Sequence, residues 1–323
     1  MTPHATHLEF LLTASLLAFV LWTGLSVLIA LLHLPLRRAL RSIAPSPRRA
    51  LLALISLLPL LIATAITALV LVPVAALTSA HCHETLGCIK HSPVQLVVHS
   101  EDPLLTLACL LAAGILLFRI ASGLLRHHRV EARLRAMFPS LDADGFWRID
   151  SGQPLALSAG LWRGRIFLSS GLVDALDADQ VRIVTDHESA HLRHRDNLVQ
   201  FAASLLFCPL TTLPAKCVLD DLRHCAELIA DREAAQRSSP ERVAGTLVRV
   251  HRLGLQARMP ELAHFHPSSL ELRIHELLEA RHSHAATRYT AMAAFGFAVL
   301  TVLAGINTGH HLLEAALEWV RPM

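Results

Sequence analysis

The sequence is short of charge. Only 17% of its 323 residues are charged, and the formal net charge is only +3. Such a small positive excess gives no footprint for a nucleic acid, so we expect no nucleic-acid partner. The six cysteines show no zinc-finger spacing, and there is no internal repeat. What the chain has in excess is apolar sequence, at 53% hydrophobic residues and a mean hydropathy of +0.46. Such a chain must cross a membrane or bury unusually large helices.

Three apolar runs near the N-terminus are long enough to cross a bilayer, since a spanning helix needs about 20 apolar residues. They cover about 8–34, 51–77 and 104–125. No basic segment precedes the first run and no cleavage site follows it, so we expect a span rather than a signal peptide. A later run, 289–306, predicts a last span. The expected units are a membrane region (1–125), a globular domain (126–288) and a last span with a short tail (289–323).

Arginine is unevenly distributed around these spans. The loop at 37–49 and the stretch that begins at Arg126 are rich in arginine, whereas the loop at 81–102 contains one lysine and no arginine. The positive-inside rule places the arginine-rich side in the cytoplasm. We therefore expect a multi-pass protein of the bacterial inner (cytoplasmic) membrane, with its N-terminus outside and its globular domain in the cytoplasm. Cys82 and Cys88 would then lie outside, and three alternatives stand for them: a disulfide, two free thiols, or a pair of ligands to a metal ion.

The motif that carries chemistry is His-Glu-x-x-His at 187–191. On a helix, His187 and His191 lie on one face and can bind one Zn²⁺. Glu188 can act as the general base that a zinc protease needs. The preceding Asp177 is suited to cap this helix. Because so short a motif also occurs by chance, the alternative is the polar face of an ordinary helix.

A catalytic zinc needs a third protein ligand. Glu227 and Asp231 lie four residues apart on a predicted helix at 222–236. Glu227 can bind the metal, and Asp231 can accept the outer N–H of a ligand histidine and fix its tautomer. The alternative is a solvated acidic stripe that pairs with Arg223 or Arg232.

The apolar run at 198–213 lies between the two halves of this ligand set. If it crossed the membrane once, Glu227 would face the opposite side from the two histidines. We therefore expect a re-entrant or membrane-surface hairpin, or the buried core of the domain. His194 and His224 could bind the metal only by replacing one of the three ligands. Arg195 and Asp196 are expected to make local ion pairs at the end of the zinc helix.

Shorter patterns complete the globular domain. Apolar clusters and alternation predict strands at 147–150 and 165–169, and further helices are expected at 172–176, 241–255 and 270–281. A donor for the transition-state oxyanion cannot be chosen among His264, His266 and Arg232.

These residues resemble known families. The run at 187–196 resembles membrane metallopeptidases of the beta-lactam-sensing receptor type, in which a basic stretch and an Asp follow the zinc motif. The Glu-x-x-Ala-Asp-Arg run at 227–232 is shared with those enzymes and with the HtpX and CAAX-prenyl-protease group, and 157–176 resembles the segment before the zinc helix in both. His266-Pro267 followed by Arg273-Ile274 favours the HtpX group, whereas the lack of two clear spans between the zinc motif and Glu227 favours the receptors.

The resemblance implies a mainly α fold, with multi-span membrane helices and a cytoplasmic α+β, gluzincin-like zinc metallopeptidase domain that has a small sheet. It implies zinc bound by His187, His191 and Glu227, Glu188 as the catalytic base, and, less directly, Asp231 behind a ligand. A strand in 157–176 would pair with the substrate backbone. The implied activity is endopeptidase cleavage of a regulatory or membrane protein, or of the chain itself.

Two other functions are open at this point. The chain could be a catalytically vestigial, zinc-stabilised signal transducer or scaffold, although a structural zinc site has no need of Glu188. A transporter is disfavoured because the spans carry few ionisable residues. The short tail after the last span leaves no room for a penicillin-binding sensor, so any signal is expected through the 81–102 loop, the bilayer or a membrane partner.

Overall fold

A computed structural model describes residues 7–71, 103–137, 145–207, 212–256 and 267–279. The expected features at Cys82, Cys88, His264, His266 and 289–306 lie outside these residues. The described helices are α1 (His7–Leu40), α2 (Pro45–Leu71), α3 (Pro103–Met137), α4 (Ser170–Ala175), α5 (Ala178–Arg193), α6 (Asp196–Leu206), α7 (Thr212–Arg237), α8 (Pro240–Gln256) and α9 (Pro267–Leu278). The strands are β1 (Trp147–Ile149), β2 (Ala156–Ala159) and β3 (Arg165–Ser169). The expected mainly helical fold with a small sheet is confirmed.

Helices α1, α2 and α3 are long and apolar enough to cross a membrane, at Ala14–Leu40, Pro45–Ala68 and Thr106–Val130. Large apolar side chains such as Leu110 and Phe118 stand exposed on α3, which suits contact with lipid. The arginine-rich loop is shorter than predicted. Its arginines mostly lie on helices, because α1 continues to Leu40 and α2 begins at Pro45, where proline fits the first helical position.

The small sheet lies beside the helix that carries the His-Glu-x-x-His motif. Its strand order is β1-β3-β2, with β1 parallel and β2 antiparallel to β3. The strands predicted at 147–150 and 165–169 correspond to β1 and β3. Strand β2 has only four residues, of which Leu157 is the one large apolar residue, so only the family resemblance indicated a strand there. Ile166 and Leu168 of β3 pack with Val181 and Val184 of α5 in one buried cluster.

Helix α5 forms for reasons that are readable in its sequence. The side chain of Asp177 accepts a hydrogen bond from the backbone N–H of Gln180, and the Gln180 side chain accepts one from the backbone of Asp177. This reciprocal capping box satisfies backbone donors at the start of the helix and confirms the predicted cap. Val181, Val184 and Ala190 face inwards and leave the polar motif on the side that meets α7.

Helices α6 and α7 form a hairpin that packs against the apolar helices. The Trp22 indole of α1 donates to the Leu206 carbonyl at 2.7 Å. The 198–213 run is therefore not one continuous helix, since α6 ends at Leu206 and α7 begins at Thr212. In the second helix of the hairpin, α7, both carboxylate oxygens of Asp221 accept hydrogen bonds from Arg37 of α1. Buried residues of α2, α6 and α7 share one core: Leu52, Ala203, Phe207, Ala215, Val218, Leu222 and Cys225.

Candidate metal centre

Two helices bring three metal-ligating side chains to one point. The Nε2 atoms of His187 and His191, both on α5, lie 3.1 Å apart. Glu227 of α7 places its Oε2 3.5 Å from His187 Nε2 and its Oε1 3.7 Å from His191 Nε2. One ligand atom from each residue lies within 4.8 Å of the others. The structure thus brings together the three residues predicted to bind zinc.

The spacing fits a zinc ion. With Zn–N bonds of about 2.0–2.1 Å, the ligand atoms of a tetrahedral site lie about 3.3 Å apart, close to the separations observed here. Each histidine also turns its Nδ1 towards a carboxylate: His191 to Asp196 Oδ2 at 2.8 Å and His187 to Asp231 Oδ1 at 3.0 Å. If each Nδ1 carries the proton, the two Nε2 lone pairs face each other, an arrangement that only a cation or a shared proton relieves.

Asp231 lies where the sequence predicted it, behind a ligand histidine. Its side chain is 1% exposed and its contact with His187 Nδ1 is poorly aligned for a hydrogen bond. Its strongest contacts are with Arg273 of α9, which donates to both Asp231 oxygens at 2.7 and 2.8 Å. Arg273 also reaches Glu227 Oε2 at 3.0 Å. The interpretation of a solvated stripe is wrong for this pair.

The role of Arg273 was missed, although the sequence carried a signal for it. Arg273 lies on the same face of α9 as the buried Leu270 and Leu277 and is itself 2% exposed. A charged residue on an apolar helical face needs a buried partner. The partners considered for the acidic residues lie elsewhere, with Arg223 bound to Asp220 and Arg232 to Glu276.

Asp196 corrects another expectation. Besides its local contact with His191, the buried Asp196 binds the distant Arg49 of α2, which donates to Asp196 Oδ1 at 2.5 Å. Arg195 is exposed and adopts a left-handed backbone conformation. The spacing of Asp196 five residues after His191 was the available signal, since a sharp turn returns a side chain to the helix it has just left.

The other candidate residues do not join the cluster. His194 binds Glu233 at 2.5 Å, and His224 lies beside a small cavity with Arg48, where burial lowers its pKa. Glu188 is half-buried beside His187, and its charge acts on the buried Arg273, whose pKa it helps to raise.

The charges around the centre act on one another strongly. Burial would raise the pKa of Glu227, but Arg273 and the two histidines outweigh it and lower that pKa. Burial would lower the pKa of His187, but the carboxylates of Asp231 and Glu227 outweigh it and raise the pKa of His187 to about 10. In the metal-free centre this shift favours a second ring proton on His187 at neutral pH, which gives the imidazole a positive charge.

Zinc binding is expected to release this proton. A metal ligand must be deprotonated, so below about pH 10 the apparent affinity should rise with pH, by about tenfold per unit. Titration calorimetry at pH 7.5 in two buffers of different ionisation enthalpy measures the protons released, and we expect at least one. Glu188→Gln, which keeps the ligands, should release the same number from His187. Identical enthalpies in both buffers would contradict the assignment.

Comparison with known proteins gives one match. Residues 128–220 match peptidase family M48, a segment that includes β1–β3, α5 and α6 and stops before Glu227. Neither curated proteins nor solved structures give a match. The family fits the resemblance to the HtpX and CAAX-prenyl-protease group, and its members are typically zinc-dependent. Residues 128–220 are thus similar to peptidase family M48, and the chain joins this segment to three helices that could cross a membrane.

Proposed function

We propose that the chain is an integral-membrane, zinc-dependent endopeptidase that cleaves protein substrates. The observation that carries this proposal is the convergence of His187, His191 and Glu227 within 4.8 Å, with the Glu188 carboxylate next to the first histidine. A structural zinc site normally has four protein ligands and does not need an adjacent carboxylate, whereas three ligands leave one position open for water or substrate.

The residues of the chain would divide the reaction between them. Zinc, when bound, supplies a Lewis acid that polarises a carbonyl and lowers the pKa of water. Glu188 takes the proton of the attacking water and delivers it to the leaving amine. Asp196 would accept a hydrogen bond from His191 Nδ1, and the negative charge of Asp231, 3.0 Å from His187 Nδ1, would favour a proton on that nitrogen, so that both Nε2 atoms stay available. Arg273 balances the negative charge of Glu227 and Asp231 in a site that excludes most water.

The substrate backbone would pair with β2. In the described sheet β2 is an edge strand, and an extended peptide can add to such an edge through main-chain hydrogen bonds. The Asn197 amide donates to the carbonyls of Ser158 and Gly160 at 3.0 and 3.4 Å. This contact fixes the end of β2 to the first turn of α6, beside the zinc helix.

The site would face the cytoplasm, close to the bilayer of a bacterial inner membrane. Asp196, which contacts a ligand histidine, is bound by Arg49 at the start of the candidate span Pro45–Ala68. The arginine-rich side of the spans is the cytoplasmic side by the positive-inside rule. Substrates would be regulatory or membrane proteins, or the chain itself, delivered to a domain at 126–288 between the membrane region and the last span.

Cleavage in membranes tests this function. Membranes that contain the wild type or Glu188→Gln are compared for new protein N-termini by mass spectrometry. We expect a set of N-termini that only the wild type produces, because the variant lacks the base and keeps the ligands. Identical N-termini from two zinc-loaded proteins would contradict the endopeptidase proposal and support the scaffold.

A further inference from the structure

The two histidines of the centre are supported in the same way from opposite sides. On one side His187 faces Asp231, which Arg273 binds; on the other His191 faces Asp196, which Arg49 binds. The first arginine belongs to α9 of the globular domain. The second lies 147 residues before Asp196, on a membrane-capable helix. One half of the centre is thus completed by the membrane region.

The second support acts through a sharp turn. Arg195, between α5 and α6, has φ 52° and ψ 43°, and it is the one non-glycine residue with positive φ in the described part of the chain. This conformation costs roughly 1 kcal/mol for a residue with a side chain. The left-handed conformation of Arg195 directs Asp196 back to His191. The turn therefore depends on contacts that hold the residues on both sides of Arg195 in place.

Arg49 supplies those contacts. Its Nη2 donates to the His194 carbonyl at 2.9 Å, before the turn, and to Asp196 Oδ1 at 2.5 Å, after it. The first contact also places a cation at the C-terminal end of α5, where the helix dipole favours one. The Arg49 side chain is 17% exposed and that of Asp196 5%, so water screens the pair little.

We propose that Arg49 is a positioning residue that links the packing of the membrane helix α2 to the geometry of the metal centre. It acts through Asp196, which orients the imidazole of His191. A displacement of α2 relative to α5 would loosen the turn and misplace one ligand, so the membrane region sets how well the centre binds its metal. The inference rests on the metal site of the proposed function.

Metal affinity of the full chain in lipid nanodiscs tests the link. Zinc affinity is measured by competition with a chelator for the wild type, Arg49→Ala, Arg49→Lys and the control Arg38→Ala, which removes an exposed arginine from the same side of the spans. We expect Arg49→Ala to weaken zinc binding by about 10–100-fold, Arg49→Lys to recover part of the loss, and Arg38→Ala to stay within about twofold. The visible spectrum of bound Co²⁺ should change only in the Arg49 variants.

Two further measurements separate positioning from general loss of folding. Arg49→Ala added to Asp196→Ala should weaken binding no further than Asp196→Ala alone, because without the Asp196 side chain the turn that Arg49 holds no longer orients His191. In the metal-free protein, Arg49→Ala should speed hydrogen exchange at residues 194–199 and leave α8 unchanged. Equal affinities of Arg49→Ala and Arg38→Ala, or additive losses in the double variant, would overturn the inference. Failure of cleavage with this pattern intact would reject only the endopeptidase.

Discussion

Arg273→Met is expected to lower the free energy of unfolding by about 3–5 kcal/mol and to abolish tight zinc binding. Arg273 is almost fully buried and binds Asp231 and Glu227. Its removal leaves two carboxylates in a low-dielectric site with only protonated His187 as a counter-charge, and breaking a buried ion pair in this way is costly. Arg273→Lys should recover only part of this loss, because an ammonium cannot reproduce the planar fork that binds both oxygens of Asp231.

Arg232→Met is the matched control for this prediction. Arg232 also joins α7 to α9, through Glu276 at 3.5 Å, but the side chains of Arg232 and Glu276 are both partly exposed. Such a pair contributes at most about 1 kcal/mol. Denaturant unfolding in detergent and the zinc content of each purified variant measure the difference. Similar losses for the two variants would show that Arg273 has no special place in the centre.

His187→Ala and Glu188→Gln are expected to separate binding from catalysis. His187→Ala should lose both zinc and cleavage, because two ligands do not hold a catalytic zinc. Glu188→Gln should keep zinc at the wild-type stoichiometry and lower cleavage by about 10²–10⁴-fold, the usual worth of a general base. Elemental analysis gives zinc per chain, and the rate of appearance of the wild-type N-termini gives cleavage.

Ser189→Ala serves as the control within the same motif. The Ser189 hydroxyl bonds only to the Thr185 carbonyl one turn earlier among its described contacts, so the substitution should leave zinc and cleavage near the wild-type values. Zinc at full stoichiometry in His187→Ala would contradict the ligand assignment. Loss of zinc from Glu188→Gln would contradict the assignment of Glu188 as a base outside the ligand set.

Local patterns predicted the parts of the site that lie within single helices. The capping box at Asp177, the four-residue spacing of His187 and His191, and the same spacing of Glu227 and Asp231 each depend on residues within one or two turns. In the structure, the His187 and His191 pair on α5 faces the Glu227 and Asp231 pair on α7. The roles of the individual residues remain predictions that the variants above will decide.

The parts that were missed depend on residues far apart in the chain. Arg273 reaches Asp231 across 42 positions and Arg49 reaches Asp196 across 147, and periodicity within a window carries no information on either pair. The arginines at 37–49 were interpreted only as a topology signal, because positive-inside counting weighs their charge without asking what each one binds. The β2 strand was too short to stand out.

The hairpin of α6 and α7 has a consequence for any attempt to isolate the peptidase. The Ala203, Phe207 and Val218 side chains pack on Leu52 of α2, and the chain passes through this hairpin between the histidines and Glu227. A fragment that begins after α2 would expose these apolar side chains of the hairpin to water and would also lack Arg49. The part of the chain that holds the metal centre is therefore expected to need the first two helices, and a fragment made to study it should keep them in a lipid or detergent environment.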